Sequence, residues 1–161
     1  MDMLKYEQRY WKKGIQNIGG IDEAGRGPLA GPVVAACVIL DPLFNIEGIK
    51  DSKKLSPKKR ENLYLQIIKY AKDVSVGIAN EDEIDELNIL QATFLSMKRA
   101  VGNLNISVEQ LLVDGPHSNI KLIPVDNIIK GDNKSLSIAA ASIVAKVVRD
   151  KIMIEYHNIY P

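Results

Sequence analysis

The stretch Gly20-Ile21-Asp22-Glu23-Ala24-Gly25-Arg26-Gly27-Pro28-Leu29-Ala30-Gly31-Pro32 constrains this chain more than any other part of it. Before it, Ile18 and Ile21 read as part of a short strand. After it, Val33 to Leu40 is a near-continuous apolar run and reads as a buried strand. Between the two lie adjacent carboxylates, an arginine flanked by glycines, and two Gly-Pro breaks that fix the exit from the turn. Asp22 and Glu23 therefore stand at a strand end. Beside them is a loop whose Gly25 and Gly27 carry no side chain to hold a ligand away. That arrangement suits a metal site next to a phosphate-bearing substrate. Judged alone it is equally an acidic turn facing water, because short motifs often match by chance.

A chain of 161 residues, 46% of them apolar, has enough material for one domain with a real core, which places residues 1–161 in a single unit. The net charge of +1 gives no overall basic signature, so any nucleic-acid surface must come from local clustering. The single cysteine, Cys37, lies inside the apolar run and reads as a small buried hydrophobe. No apolar run is long enough to span a bilayer and the N-terminus lacks a signal-like core, which points to a cytoplasmic location.

Residues 4–11 read as a short helix in which Tyr6 and Tyr10 share a packing face. Beyond Asp41-Pro42 a third short strand is expected at residues 47–50, which would complete an antiparallel meander. The window from Lys50 to Arg60 is the most basic of the chain: Lys50, Lys53, Lys54, Lys58, Lys59 and Arg60 against Asp51. It runs into a helix start with Ser56 as N-cap and Pro57 at the first position, followed by Leu63, Tyr64, Ile67, Ile68 and Ala71 at helical spacing. Lysines at a helix N-terminus oppose the dipole. They either complement an external anion or form a solvated patch.

Val74, Val76 and Ile78 alternate as in a strand. The acids Glu81, Asp82, Glu83, Asp85 and Glu86 have no ligand-like spacing. They read as the solvated first turn of a helix, on a face expected to point away from any nucleic acid. Asn88 then caps a helix with Leu90, Phe94, Met97 and Val101 as its apolar stripe. Gln110 to Asp114 repeats the opening pattern, an apolar strand ending in a carboxylate before Gly115-Pro116, and strand ends are where ligands gather in open α/β sheets. A short strand at residues 124–130 precedes Gly131-Asp132. A strong helix then runs from Ser135 to about Tyr156, with Ile138, Ala141, Ala145, Val148 and Ile152 inward and Ser142, Lys146 and Arg149 on another face.

Several of these segments together resemble the type 2 ribonucleases H, the bacterial ribonuclease HII family. They are the Asp-Glu-Ala-Gly-Arg-Gly string at 22–27, Ser-Lys-Lys-Leu at 52–55, Val-Asp-Gly at 113–115, Lys-Gly-Asp at 130–132, and Ala-Lys followed by Arg-Asp at 145–150. They occur in the family's order across nearly the whole chain. The resemblance implies a ribonuclease H-like α/β fold, with a mixed sheet (an antiparallel meander plus parallel strands) flanked by helices.

It further implies that Asp22, Glu23, Asp114 and Asp132 are the catalytic carboxylates and hold Mg²⁺ or Mn²⁺. Asp150 remains an alternative for the fourth, although Asp132 follows a strand and Asp150 lies inside a helix. Gly25, Arg26 and Gly27 would sense the ribose 2′-OH, which separates RNA from DNA at one position. Lys53, Lys54, Ser142, Lys146 and Arg149 would contact phosphates. The implied reaction is two-metal hydrolysis of the RNA strand of an RNA–DNA hybrid, including a single ribonucleotide in duplex DNA, in replication and repair, by a monomer with no membrane partner.

The alternatives are a weakly active or non-catalytic nucleic-acid-binding fragment, or another metal-dependent nuclease of the same fold. The family continues with a C-terminal Gly-Tyr element near the ribonucleotide, whereas this sequence ends at Pro161. Tyr156 and Tyr160 precede that point and cannot take its role. The expectation is therefore a chain that folds and binds metal but cleaves hybrids poorly or not at all, with discrimination of a single ribonucleotide suffering most.

Overall fold

The computed structural model describes residues 2–27, 30–44, 46–49 and 54–159. In chain order these form α1 (Lys5–Trp11), β1 (Ile18–Ala24), β2 (Val33–Ile39), α2 (Pro57–Tyr70), β3 (Asp73–Ala79), α3 (Glu81–Leu87), α4 (Ile89–Gly102), β4 (Gln110–Asp114), β5 (Val125–Ile128) and α5 (Leu136–Ile159). A 3-10 turn, Gly131–Asn133, links β5 to α5. The five strands make one sheet in the order β3-β2-β1-β4-β5. The pairs β1–β2 and β2–β3 are antiparallel, and β1–β4 and β4–β5 are parallel.

The mixed sheet agrees with expectation, but its third antiparallel strand is not at residues 47–50. Among the described residues there, Gly48 takes φ +90 in a turn, a conformation that ends extended structure. The partner of β2 is β3, which arrives only after the chain has crossed the sheet as α2. Ser56 accepts a bond from the Lys59 N–H at 3.3 Å, so α2 starts at the N-cap expected for it.

β2 is buried along its whole length. On one face of the sheet Ala36, Val38 and Leu40 meet Leu63 and Ile67 of α2 and Ala140, Val144 and Val147 of α5. On the other face Ile21, Ala35, Cys37, Leu111 and Val113 meet Met97 and Ala100 of α4. The stripe of α4 differs from the periodic reading, since Ala92, Thr93, Ser96, Met97 and Ala100 are buried while Leu90 is exposed. The helix lies too close to β3 for large side chains. A Cβ at Gly77 would stand 2.1 Å from the Ser96 carbonyl oxygen, and the Ser75 hydroxyl donates to the Ala100 carbonyl at 2.5 Å.

On the α5 side the same close approach occurs at Gly20, whose absent Cβ would lie 2.3 Å from the Ser137 carbonyl carbon. The third cluster packs Tyr6, Tyr10, Trp11 and Ile15 on Ile18, Leu112, Ile128 and Ile138. The Tyr10 hydroxyl donates to Asp126 of β5, and burial followed by that carboxylate pushes the phenol up to about 12. Among the described residues no helix is long and apolar enough to cross a membrane.

Candidate active site

β1 is the central strand and carries the first two acids at its C-terminal end. Its parallel register with β4 pairs Ile21 with Val113, so Asp22 and Asp114 follow side by side on neighbouring strands. Asp114 in turn pairs with Ile128 of β5. Just beyond, Lys130 takes the left-handed conformation (φ 55) and turns the chain so that the Asp132 N–H donates to Asp114 Oδ1 at 3.3 Å. Three segments distant in sequence thus deliver their carboxylates to one end of the sheet.

The electrostatics register the crowding. Asp22 is 7% exposed, and its carboxyl is pushed up to about 9, first by burial and then by the charges of Asp114, Glu23 and Asp132. Glu23 is also raised, chiefly by burial, with Arg26 opposing the shift. Asp150 instead pairs with Lys146 at 3.1 Å on the flank of α5. Asp132 is among the charges acting on Asp22.

Three of these acids are also held by the protein. Asp22 Oδ1 accepts the Glu23 N–H at 2.8 Å, Asp114 accepts Asp132 N–H, and Glu23 Oε1 lies 3.6 Å from Arg26 Nη1. As placed, no group of three or more acidic, histidine or cysteine side chains among the described residues forms a geometry that would hold a metal ion. The donor set nonetheless fits one. It consists of carboxylate oxygens, which suit Mg²⁺ and Mn²⁺, and Glu23 Oε2 is buried with no hydrogen-bond partner among the described residues.

Beside the acids a cavity of about 370 Å³ is walled by Glu23 and Gly25, by Ser142, Lys146 and Arg149 of α5, and by Arg60 of α2. Ser142, Lys146 and Arg149 thus do share a face, and that face looks onto the acidic strand end. Arg149 has a further task. It is 7% exposed, and its guanidinium donates to the Pro32 carbonyl at 2.9 Å and the Ala30 carbonyl at 3.4 Å. It braces the glycine-rich loop from beneath, and Gly25 must lack a Cβ because one would lie 2.5 Å from Arg149 Nε.

In the sequence Arg60 stands out only as part of the basic window. Its position three residues before the buried Leu63 puts it on the α2 face that meets α5, which is the signal that could have singled it out. Lys54 is exposed at the edge of the described residues, whereas Lys53 and Ser52 lie outside them.

The acidic α3, expected to face away from any nucleic acid, stands close to the glycine-rich loop. Glu81 and Asp85 line a cavity of about 470 Å³ whose opposite wall is Gly25, Arg26 and Gly27. The register explains the difference: Val33 pairs with Ala79, so the helix that follows β3 begins at the sheet edge from which the loop springs. Asn80 and Glu83 form a capping box there, and Glu83 forks to Arg99 of α4 at 2.6 and 2.7 Å, which holds α3 in place.

A mixed sheet with acids at the ends of adjacent central strands, closed on one face by a long helix, defines a ribonuclease H-like α/β protein. Solved structures agree. Ribonuclease H2 of Pyrococcus horikoshii superposes with a TM-score of 0.76 at 33% identity, covering 89% of this chain and 77% of that one. The ribonuclease HII of Archaeoglobus fulgidus, solved in a complex with PCNA, gives 0.74 at 30% identity over 89% of this chain and 76% of that one. The sequence narrows the class. Residues 19–160 match the model of the ribonuclease HII family. The ribonuclease HII of Syntrophotalea carbinolica is 51% identical over 98% of this chain and 76% of its own length. That of Ligilactobacillus salivarius is 54% identical over 98% of this chain and 62% of its own length. The chain belongs to the ribonuclease HII family, and it spans about 60 to 76% of the length of the curated relatives it matches.

Proposed function

We propose that this chain carries the active site of an endonuclease that hydrolyses the RNA strand of RNA–DNA hybrids, including a single ribonucleotide embedded in duplex DNA. The observation that carries the reading is the gathering of Asp22, Glu23, Asp114 and Asp132 at one end of the sheet, with Glu23 on the wall of a pocket that also bears Gly25, Arg60, Lys146 and Arg149. Those four carboxylates are the residues that would hold Mg²⁺ or Mn²⁺. Bound in a pair, such ions would supply an activated water and neutralise charge on the leaving 3′ oxygen.

The remaining work belongs to the protein. Without a cation the crowded Asp22 carboxyl keeps its proton near neutral pH, so loading with metal releases one. Arg26 and the backbone of Gly25 and Gly27 would meet the ribose 2′-OH, which a deoxyribose cannot offer. Arg149, by holding the Ala30 and Pro32 carbonyls, sets where that loop stands relative to the acids. Arg60, Ser142 and Lys146 would hold backbone phosphates and so position the scissile P–O3′ bond without reading sequence.

The test is incubation of a duplex containing one ribonucleotide, and of the matching all-DNA duplex, with and without Mg²⁺. A slow Mg²⁺-dependent cut at the ribonucleotide is expected. Cleavage of the all-DNA duplex at a similar rate would instead assign the chain to another nuclease activity of the same fold.

A further inference from the structure

Glu7 of α1 is completely buried, and it lies outside the acidic edge described above. Among the described residues no cation is paired with it. Its Oε2 accepts the Ser135 hydroxyl at 2.8 Å and the Ser137 N–H at 2.9 Å, at the first turn of α5. Ser135 already caps α5, since its own Oγ accepts the Ile138 N–H at 3.2 Å. A buried carboxylate is expensive to desolvate, and a helix that has its own N-cap does not require one. Met3 adds a second tie, its carbonyl accepting the Leu136 N–H at 2.7 Å.

The clamped segment is the joint on which the acidic site turns. The Ser135 N–H donates to the Gly131 carbonyl at 2.8 Å, which closes the turn that carries Asp132. Gly131 is wedged so tightly that a Cβ would lie 2.6 Å from Ile138 Cδ1 and 3.4 Å from Asp114 Oδ1. Ser137 rests on Gly20, two residues before Asp22 on β1. One short stretch, residues 131–138, therefore touches β1 and β4 at their acid-bearing ends, and Glu7 holds it.

We infer that Glu7 is a positioning residue that sets Asp132 against Asp22 and Asp114 by clamping the first turn of α5. The inference rests on the reading of Asp132 as a metal ligand. An outer group that orients a ligand typically changes metal affinity about 10–100-fold when removed. A residue that merely anchors α1 would lower stability and leave affinity alone.

The experiment measures the Mn²⁺ dissociation constant by titration calorimetry on the whole chain, at a temperature where circular dichroism shows each variant folded. The variants are Glu7→Ala, Glu7→Asp, Glu7→Gln, and Met97→Ala as a destabilised control on the other face of the sheet. Affinity is expected to weaken tenfold or more in Glu7→Ala, to weaken in Glu7→Asp, and to recover in Glu7→Gln, whose amide oxygen can still accept both bonds. Met97→Ala should stay within twofold of the unaltered chain. If Glu7→Ala does not fold, Glu7→Asp carries the comparison.

Amide hydrogen exchange without metal supplies a second readout, with faster exchange expected in residues 131–138 of the Glu7 variants and not in the control. Unchanged Mn²⁺ affinity in a folded Glu7→Ala or Glu7→Asp protein overturns the inference. If the unaltered chain itself binds no Mn²⁺, the proposed metal site fails and exchange alone decides. Unchanged protection of residues 131–138 would then overturn the positioning role, and selective loss of protection would uphold it.

Discussion

The substitution Asp22→Asn should change how stability depends on pH, and the structure sets both the sign and the size. The Asp22 carboxyl is raised from 3.8 to about 9 in the folded chain by burial and by its acidic neighbours. Between those values the folded state holds a proton that the unfolded state releases. Rising pH therefore favours unfolding, and the stability associated with this group is present below pH 4 and lost as pH climbs through about 9. One proton corresponds to about 1.4 kcal/mol per pH unit, so from pH 5 to 7 the unaltered chain should lose about 3 kcal/mol on account of this residue. The amide of the Asp22→Asn variant cannot titrate, so that variant should lack the slope and be the more stable of the two at pH 7 and above. The assay is urea unfolding of both chains at pH 5, 6, 7 and 8 in EDTA. Adding Mg²⁺ should then stabilise the unaltered chain by about 2.7 kcal/mol at a hundredfold excess over its dissociation constant, and should stabilise the Asp22→Asn variant far less. Parallel stability curves for the two chains in EDTA would refute the account of Asp22 as a crowded, buried acid.

Gly20→Ala should destabilise the fold by about 3 kcal/mol, because the new methyl would strike the backbone of Ser137, and thermal unfolding would measure it. Arg149→Ala removes two bonds to the loop carbonyls; a stability loss of about 2 kcal/mol is expected, together with weaker discrimination between ribonucleotide-containing and all-DNA duplexes in a competition cleavage assay. Arg60→Ala and Lys146→Ala should each weaken binding to all sequences alike and lower the log-log salt slope by roughly 0.9 per lost phosphate contact, and an unchanged slope would return these residues to ordinary surface.

Much of the chain is legible from local sequence because the physics involved is local. Ser56 before Pro57 and Asn88 before Ile89 are caps that act within one helical turn, and both accept the backbone bonds expected of such residues. The apolar run at Val33 reads as a buried strand, and the strand is buried along its whole length. The Asp22 to Gly27 string, with the later motifs in order, is specific enough to identify the family. What stays hidden depends on which strand lies beside which. No local rule places Asp114 next to Asp22; the parallel register of β1 and β4 does so, and the turn after Lys130 then adds Asp132. Proximity in sequence favours a weak segment near β2 as the third antiparallel strand, whereas β3 is selected by small residues that let α4 approach closely. Arg149 reads as a phosphate-contacting residue on a polar helix face, and Glu7 as an ordinary polar residue of a helix. Only the folded chain puts the guanidinium under the Ala30 and Pro32 carbonyls, and the carboxylate against a helix start more than a hundred residues away in sequence. The sequence determines which short pieces form and which chemistry they carry. The tertiary structure decides which of those groups meet, because burial and register join residues whose own neighbours carry no information about one another.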